Sequence, residues 1–340
     1  MNYRLLTILF LLPLGLFAQI KNQEVIAFYN LENLFDTINQ ENVNDGEYTP
    51  QGRKEWNTAK YESKLNNMAK VLYQLGDTNS KKGLALVGVC EVENRQVLED
   101  LVSTKPLKKR KLSIIHADSP DKRGIDVAML YNPKKFKVIH YQYLNPNIKT
   151  EEGDTVFTRD VLVVKGVLRK TDTVYVLVNH WPSRYGGEEK SRPRRNQAAL
   201  FNRSIVDSIK LNENPLAKVF IMGDLNDDPT NVSVDETLNT IADLDLTDSV
   251  ALYNPYYNIL NSGTGTLKYR GKWNLFDQVI FTQSVTYDGE YLFESANIFN
   301  PDYLFQQDGD YKGYPLRTFG GKTYLNGYSD HLPVYIILKK

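Results

Sequence analysis

The chain holds one cysteine, Cys90, in 340 residues, so it closes no internal disulfide even in an oxidising compartment. Nor is there a charge surplus. Lys+Arg and Asp+Glu both number 41, and no global field draws the protein to nucleic acid or an anionic membrane, so such attraction must come from local clusters. Beyond residue 20 no stretch is long and apolar enough to cross a bilayer, which argues against stable membrane insertion and for a soluble mature form. Fixed internal periods and low-complexity linkers are missing too, so neither a repeat array nor a clean domain boundary is expected. No feature of the sequence marks an obligate protein partner.

What is present begins with a globular composition, 41% hydrophobic, which rules out disordered and fibrous classes. Residues 1–19 carry Arg4, an apolar run over 5–17 and the small Ala18, and the polar Gln19-Ile20-Lys21-Asn22 begins where they end. This is the pattern of a secretory signal peptide. The run is short for a membrane span, Pro13 and Gly15 interrupt it, and no cysteine near the cleavage point supports lipidation. The expectation is export, to a periplasm or the medium, of one domain over residues 20–340. Cys90 ends the apolar run 84–90 and reads as a small buried hydrophobe rather than a reactive thiol.

Short runs rich in β-branched and aromatic residues predict strands at 24–29, 84–90, 125–131, 161–168, 173–179, 219–222, 276–281 and 333–338. Helical spacing falls at 60–75, 95–101, 196–210 and 233–240. Helices and strands are therefore mixed throughout. The long polar or aromatic segments 39–57, 183–195, 253–272 and 297–328 exceed tight turns and are candidates for a binding rim.

Chemistry gathers where these strands end, and a strand end is a rigid mount. After the first come Asn30 and Glu32, an amide and a carboxylate two residues apart, suited to a hard cation, although taken alone a turn with a solvated Glu is the ordinary reading. After the second, Glu91 follows directly on an apolar run; it needs a partner if buried, and the alternative is a helix N-terminus. The run at 173–178 leads into Asn179-His180 and then the one strongly basic stretch, with Arg184, Lys190, Arg192, Arg194 and Arg195. Those cations suit phosphate and His180 suits proton transfer, against the plainer reading of a solvated loop ahead of a helix. Gly223-Asp224-Leu225-Asn226 follows the run at 219–222, where a turn is the ordinary reading. Asp277 lies inside an apolar run, and Ser329-Asp330-His331 precedes another; an Asp beside a His fixes the imidazole tautomer, making Asp277 and His331 a candidate pair.

Taken together and in this order, Tyr29-Asn30-Leu31-Glu32, Glu91, Asn179-His180, Gly223-Asp224-Leu225-Asn226, Asp277 and Ser329-Asp330-His331 resemble the endonuclease/exonuclease/phosphatase superfamily, with its DNase I-like fold, as an exported bacterial-type member. The resemblance runs from about Glu24 to the C-terminus. It implies an α+β, four-layer α/β/β/α sandwich, two mixed β-sheets face to face with helices on the outer faces, and a site at one edge. It also implies hydrolysis of phosphodiester or phosphomonoester bonds with Mg2+ or Mn2+. Carried over by position, Glu91 is the main metal ligand, Asn30 and Glu32 complete or orient the metal site, and Asp330 is a further acid there. Asp224 and Asn226 position water and the scissile phosphate, His331 with Asp277 is a base-side or phosphate-stabilising pair, and His180 is a second catalytic imidazole, with Asp126 offered as its partner.

The resulting expectation is a metal-dependent endonuclease acting on nucleic acid through Arg184, Lys190, Arg192, Arg194 and Arg195. A phosphatase or a phospholipid or sphingomyelin phosphodiesterase, taking a phosphorylated small molecule or lipid headgroup, is the alternative within the enzyme class. A catalytically inert binding module is the alternative outside it.

Overall fold

The computed structural model describes residues 23–75, 77, 83–245 and 247–340. The expected signal peptide at 1–19 lies outside the described residues. In chain order the elements are β1 (Gln23–Leu34), α1 (Thr58–Leu75), β2 (Leu86–Val92), α2 (Arg95–Ser103), α3 (Lys105–Lys108), β3 (Ser113–His116), β4 (Asp126–Tyr131), β5 (Phe136–Leu144), β6 (Val161–Leu168) and β7 (Asp172–His180). Then follow α4 (Glu188–Asn212), β8 (Lys218–Asp224), β9 (Thr240–Ile241), β10 (Leu252–Tyr253), α5 (Tyr256–Asn261), β11 (Leu267–Tyr269), β12 (Lys272–Asn274), β13 (Asp277–Thr282), β14 (Leu292–Ile298), β15 (Phe319–Gly320), β16 (Thr323–Tyr324) and β17 (Val334–Lys339).

Two mixed sheets form, one ordered β14-β17-β1-β2-β4-β3 and the other β5-β6-β7-β8-β13-β10-β9. Alternation along β1 shows how they stack. Ile26 and Phe28 enter a core shared with Val178, Phe220, Met222 and Val279 of the second sheet, while Val25, Ala27 and Tyr29 face Met68, Leu72, Val97 and Leu101 of α1 and α2. On the far side Leu177, Val219 and Ile221 pack on Ala199 and Val206 of α4. The layers are therefore helix, sheet, sheet, helix, and central strands buried on both faces read as unbroken apolar runs rather than alternating ones. The sheets touch closely under the strand ends: a Cβ on Gly88 would lie 2.7 Å from Met222 Sδ. No helix among the described residues is long and apolar enough to cross a membrane.

Three differences from the sequence reading matter for function. The basic stretch 183–195 is not all loop: α4 starts at Glu188, with Pro193 inside it, because the helix must seat Ala198 and Ala199 against the second sheet. The helix expected at 233–240 is only a π-helical turn, Ser233–Thr237, before β9. Strands β3, β5 and β14 have no counterpart in the sequence reading; β5 is an edge strand, mostly exposed, and lacks an apolar run.

Candidate active site

Strand register assembles the site before any side chain is considered. Parallel pairing of β7 with β8 sets His180 opposite Asp224, and antiparallel pairing of β8 with β13 sets Asp277 opposite Asp224 from the other side. Directly opposed residues share a face, so three side chains distant in sequence stand abreast. In the first sheet β1 and β2 run parallel with Asn30 beside Cys90, which brings Asn30 next to Glu91. The segment 329–331 arrives at the end of β1 because β17 pairs antiparallel with it, and Ser329 Oγ donates to Asn30 O at 2.8 Å.

The backbone leaves regular geometry here. Glu32, Asn33, Glu91 and Asn226 all have positive φ, between 47° and 57°, an unfavourable region for residues other than glycine. Register shifts interrupt β1 after Asn30 and β2 after Cys90. Such bulges re-aim side chains at strand ends, and strain of this kind concentrates at functional sites.

Side-chain contacts then join the two sheets. Asn30 Nδ2 donates to Asp224 Oδ2 at 3.1 Å, and Asn226 N donates to Asp224 Oδ1 at 3.0 Å. His331 and Asp277 meet at 2.6 Å through Nδ1 and Oδ2, while His331 Nε2 lies 3.7 Å from Asp224 Oδ2. His180 Nε2 lies 3.7 Å from the same Asp224 oxygen and 4.0 Å from Glu91 Oε1. Glu91 Oε2 accepts from Asn33 N at 3.0 Å. The expected pairing of Asp277 with His331 is thus present, and Asn30, Glu91, His180, Asp224, Asn226, Asp277, Asp330 and His331 are gathered at one edge.

The two imidazoles differ in kind. Burial alone would lower the His331 pKa, but the Asp277 and Asp224 carboxylates outweigh it and hold the ring protonated, well above the ordinary range. His180 moves the other way, lowered by burial and by the nearby cations Arg159, Arg123 and His331, and is neutral. Burial pushes Asp224 up to about 7. NMR of the four histidines in metal-free protein is expected to show His331 titrating above about 6.5 and His180 below it; both titrating together near that value would contradict the geometry. By linkage, His331 stabilises the fold below about 6.5 and loses that effect as pH rises through its raised pKa, whereas His180 weakens the fold as pH falls below about 6.5.

Glu32 is anchored more than displayed. Thr318 N and Oγ1 both donate to its Oε2 at 2.7 Å, Arg317 Nε reaches Oε1 at 3.2 Å, and the buried Lys64 ammonium lies 3.6 Å from Oε2. Burial raises its pKa, Asp330 adds to the rise, and Lys64 and Arg317 oppose it. Arg317 also donates to Asp330 Oδ2 at 2.8 Å. For Asp330 burial works upward, but Arg317, His331 and Lys64 prevail and lower its pKa. Lys64, Arg317 and Thr318 were not singled out from the sequence. Only Lys64 left a signal there, a cation on the buried face of α1 beside Leu65 and Met68.

Two expectations are corrected. Asp126 does not partner His180: its carboxylate meets His116 Nε2 at 3.0 Å and Ser119 Oγ at 2.6 Å, because β4 lies between β2 and β3 and Asp126 turns toward the β3 side. His180 Nδ1 is buried with no hydrogen-bond partner; the segment is held instead through Arg159, which donates to the carbonyls of His180 and Trp181. The basic stretch is mostly a brace. Arg195 is fully buried and ion-paired with Asp227 at 2.6 Å, and Arg184 binds Asp227, Glu188 and the Asn226 carbonyl. Arg192 pairs with Glu189, leaving Lys190 exposed and Arg194 only 3.5 Å from Tyr185 O. The cations that flank Glu91 and Asp330 are Arg123 and Arg317, whose side chains are 49% and 45% exposed.

Two of the long segments pack together beside Glu32. Phe35 stacks on Tyr48 at 4.5 Å, and Trp56 packs on Phe319 at 5.8 Å, joining the loop after β1 to the β15–β16 hairpin beside Glu32.

The donor set suits a hard divalent cation. Among the described residues Glu91 Oε1 accepts no hydrogen bond and faces the site, with the Asn30 amide and the Asp330 carboxylate on the same edge. Glu32, with both oxygens already bonded, orients this edge through Arg317 and Thr318.

Known proteins agree with this architecture. The mannosyl-6-phosphatase Bt3783 of Bacteroides thetaiotaomicron is similar with TM-score 0.58 at 15% identity, over 93% of this chain and 100% of that one. An endonuclease/exonuclease/phosphatase family protein of Bacteroides thetaiotaomicron gives TM-score 0.56 at 15% identity, over 94% and 98%. D. rerio TDP2 complexed with a single strand DNA product gives 0.53 at 13%, over 94% and 100%. These likenesses carry the fold. No curated protein matches the sequence. The profile of the Endonuclease/Exonuclease/phosphatase family matches residues 25–340, and the chain belongs to that family.

Proposed function

We propose that this family member is a divalent-metal-dependent phosphoesterase acting on a compact phosphate ester. The observation that carries the reading is the convergence of His180, Asp224 and Asp277 from one sheet with Asn30, Glu91 and His331 from the other, through contacts of 2.6–4.0 Å. Glu91 and Asn30 would hold Mg2+ or Mn2+, with Asp330 beside them. When bound, the ion neutralises charge on the phosphoryl oxygens and acidifies water.

The protein's own groups divide the remaining work. Asp224, pinned at Oδ1 by the Asn226 amide, keeps Oδ2 toward the site and accepts the proton of an attacking water. His331, its Nδ1–H held by Asp277, presents Nε2–H as a cationic donor to a phosphoryl oxygen, the phosphate-stabilising role rather than the basic one. Neutral His180 orients a phosphoryl oxygen by hydrogen bonding and is a poor proton donor to a leaving group.

Substrate size follows from where open positive charge lies. A nucleic-acid backbone needs a track of cations, yet Arg184, Arg192 and Arg195 are held in ion pairs. Arg123, half exposed and 3.9 Å from Glu91 Oε2, is instead placed to receive one phosphate group, while Arg317, bonded to Glu32 and Asp330, braces the edge beside it. The similar Bt3783 is a mannosyl-6-phosphatase, which fits this reading. A nucleic-acid substrate is favoured by the exposed Tyr185 and Tyr269, available for base stacking, and by likeness to TDP2 with its DNA product.

Purified protein would be given plasmid DNA, RNA, sphingomyelin, phosphoinositides, sugar phosphates and a chromogenic monoester, with Mg2+ or Mn2+ and with EDTA. EDTA-sensitive release from small phosphate esters ahead of polymers is expected. Arg123→Met should raise KM for the preferred ester by about tenfold with little change in kcat. Preference for plasmid DNA would replace the compact-substrate reading with the nuclease one.

A further inference from the structure

We propose that Cys90, His180 and Asp224 form a separate binding site for a thiophilic divalent cation such as Zn2+, and that its occupation shuts the catalytic site. The thiol sulfur, a ring nitrogen of His180 and a carboxylate oxygen of Asp224 lie within 4.8 Å of one another, all three residues buried. The fold explains the meeting. Cys90 faces the core between the sheets, and the close approach at Gly88 and Met222 sets it under the ends of β7 and β8, where His180 and Asp224 are mounted.

An independent observation points to a ligand. His180 is 6% exposed, its Nε2 stands 3.7 Å from Asp224 Oδ2 without a hydrogen bond and its Nδ1 is buried with no partner, so among the described residues neither ring nitrogen is engaged, although a buried polar atom ordinarily finds a partner. A ring nitrogen outside any hydrogen bond can offer its lone pair to a metal. Donor chemistry then separates this site from the one at Glu91: Mg2+ takes oxygen ligands, while sulfur, imidazole nitrogen and carboxylate oxygen together are a zinc set, with the fourth position open to water or phosphate. Tetrahedral zinc needs ligand atoms roughly 3.5 Å apart, so closing the site takes side-chain movements on the order of 1 Å. The thiol proton passes to solvent as the metal–sulfur bond forms. Asp224 and His180 are then unavailable to water and phosphate, while Glu91 and Asn30 remain free for Mg2+. The inhibitory consequence rests on the phosphoesterase reading; the cation site itself does not.

Metal-stripped protein would be titrated with Co2+ and followed by absorption, then back-titrated with Zn2+ against a chromophoric chelator. One equivalent of Co2+ should give a thiolate-to-cobalt charge-transfer band that Zn2+ abolishes. Cys90→Ser and Cys90→Ala should lose the band and weaken Zn2+ binding by about a hundredfold or more. In Mg2+-supported hydrolysis Zn2+ should inhibit the natural chain at concentrations that Cys90→Ala resists. A Co2+ complex without the band, or equal Zn2+ affinity in Cys90→Ala, would overturn the site. A band in a protein that hydrolyses no phosphoester would uphold the cation site and remove the catalytic reading instead.

Discussion

Glu91→Gln and Asp277→Asn are each expected to lower phosphoester turnover by about 10²- to 10³-fold, with the fold intact by circular dichroism. The first keeps the shape of the side chain but removes the charge of a carboxylate whose Oε1 faces the site without a hydrogen bond, so metal binding weakens and extra Mg2+ restores part of the rate. The second keeps a hydrogen bond to His331 but removes the charge that holds the ring protonated against burial, so Nε2 no longer presents a cation to phosphate. Its loss should fall on kcat, and extra Mg2+ should not repair it. Full turnover in either variant on the preferred substrate would remove that residue from the machinery.

Lys64→Met is expected to cost about 3 kcal/mol of stability, read as a lower urea midpoint. Lys64 is 1% exposed and donates to Thr318 Oγ1 at 2.7 Å and to the Tyr328 carbonyl, beside Glu32 at 3.6 Å. Burial lowers its pKa, so the ammonium is kept by its partners rather than by solvent. Methionine fills the space but leaves Glu32 buried with only Arg317 as a counter-charge and the Tyr328 carbonyl short of a donor. A second change, Glu32→Gln, in the Lys64→Met background should recover part of the loss, because no uncompensated charge then remains. A Lys64→Met protein as stable as the natural chain would show that this network carries no structural weight.

The fold was legible where strands are buried on both faces. The runs near 25, 87, 164, 176, 220 and 279 stand out because neither side of those strands can accept polar residues. Elements whose burial is partial or brief were illegible: β5 lies at an edge and mostly in solvent, and β3 is four residues long. That second omission explains a misplaced site residue. Without β3 there is no His116 beside Asp126, and the next histidine in the chain order of the motifs, His180, was the natural partner to assign.

The grouping of the candidate site residues was legible because register multiplies weak signals. Asp224, His180 and Asp277 each sit at or beside a strand terminus, and adjacency of β7, β8 and β13 then leaves them one arrangement. Charge roles were harder to see. Arg184 and Arg195 look like phosphate ligands in sequence, yet both turn onto Asp227, whose position behind Asn226 no local pattern reveals. Arg317 comes from a long irregular segment and gains its place only because Glu32 and Asp330 lie beside it.

The central claim is that Glu91 and Asn30 hold a metal against the Asp224 and His331 pair to hydrolyse phosphate esters. Its most direct measurement is phosphate release by the purified protein from its preferred ester in Mg2+ or Mn2+, with EDTA, and with Glu91→Gln in parallel. Turnover with metal, none with EDTA, recovery on adding the ion back, and a loss of at least about a hundredfold in the variant are expected. Metal-independent turnover, or no hydrolysis of any phosphoester under these conditions, would contradict it, the latter leaving a binding module on the same fold.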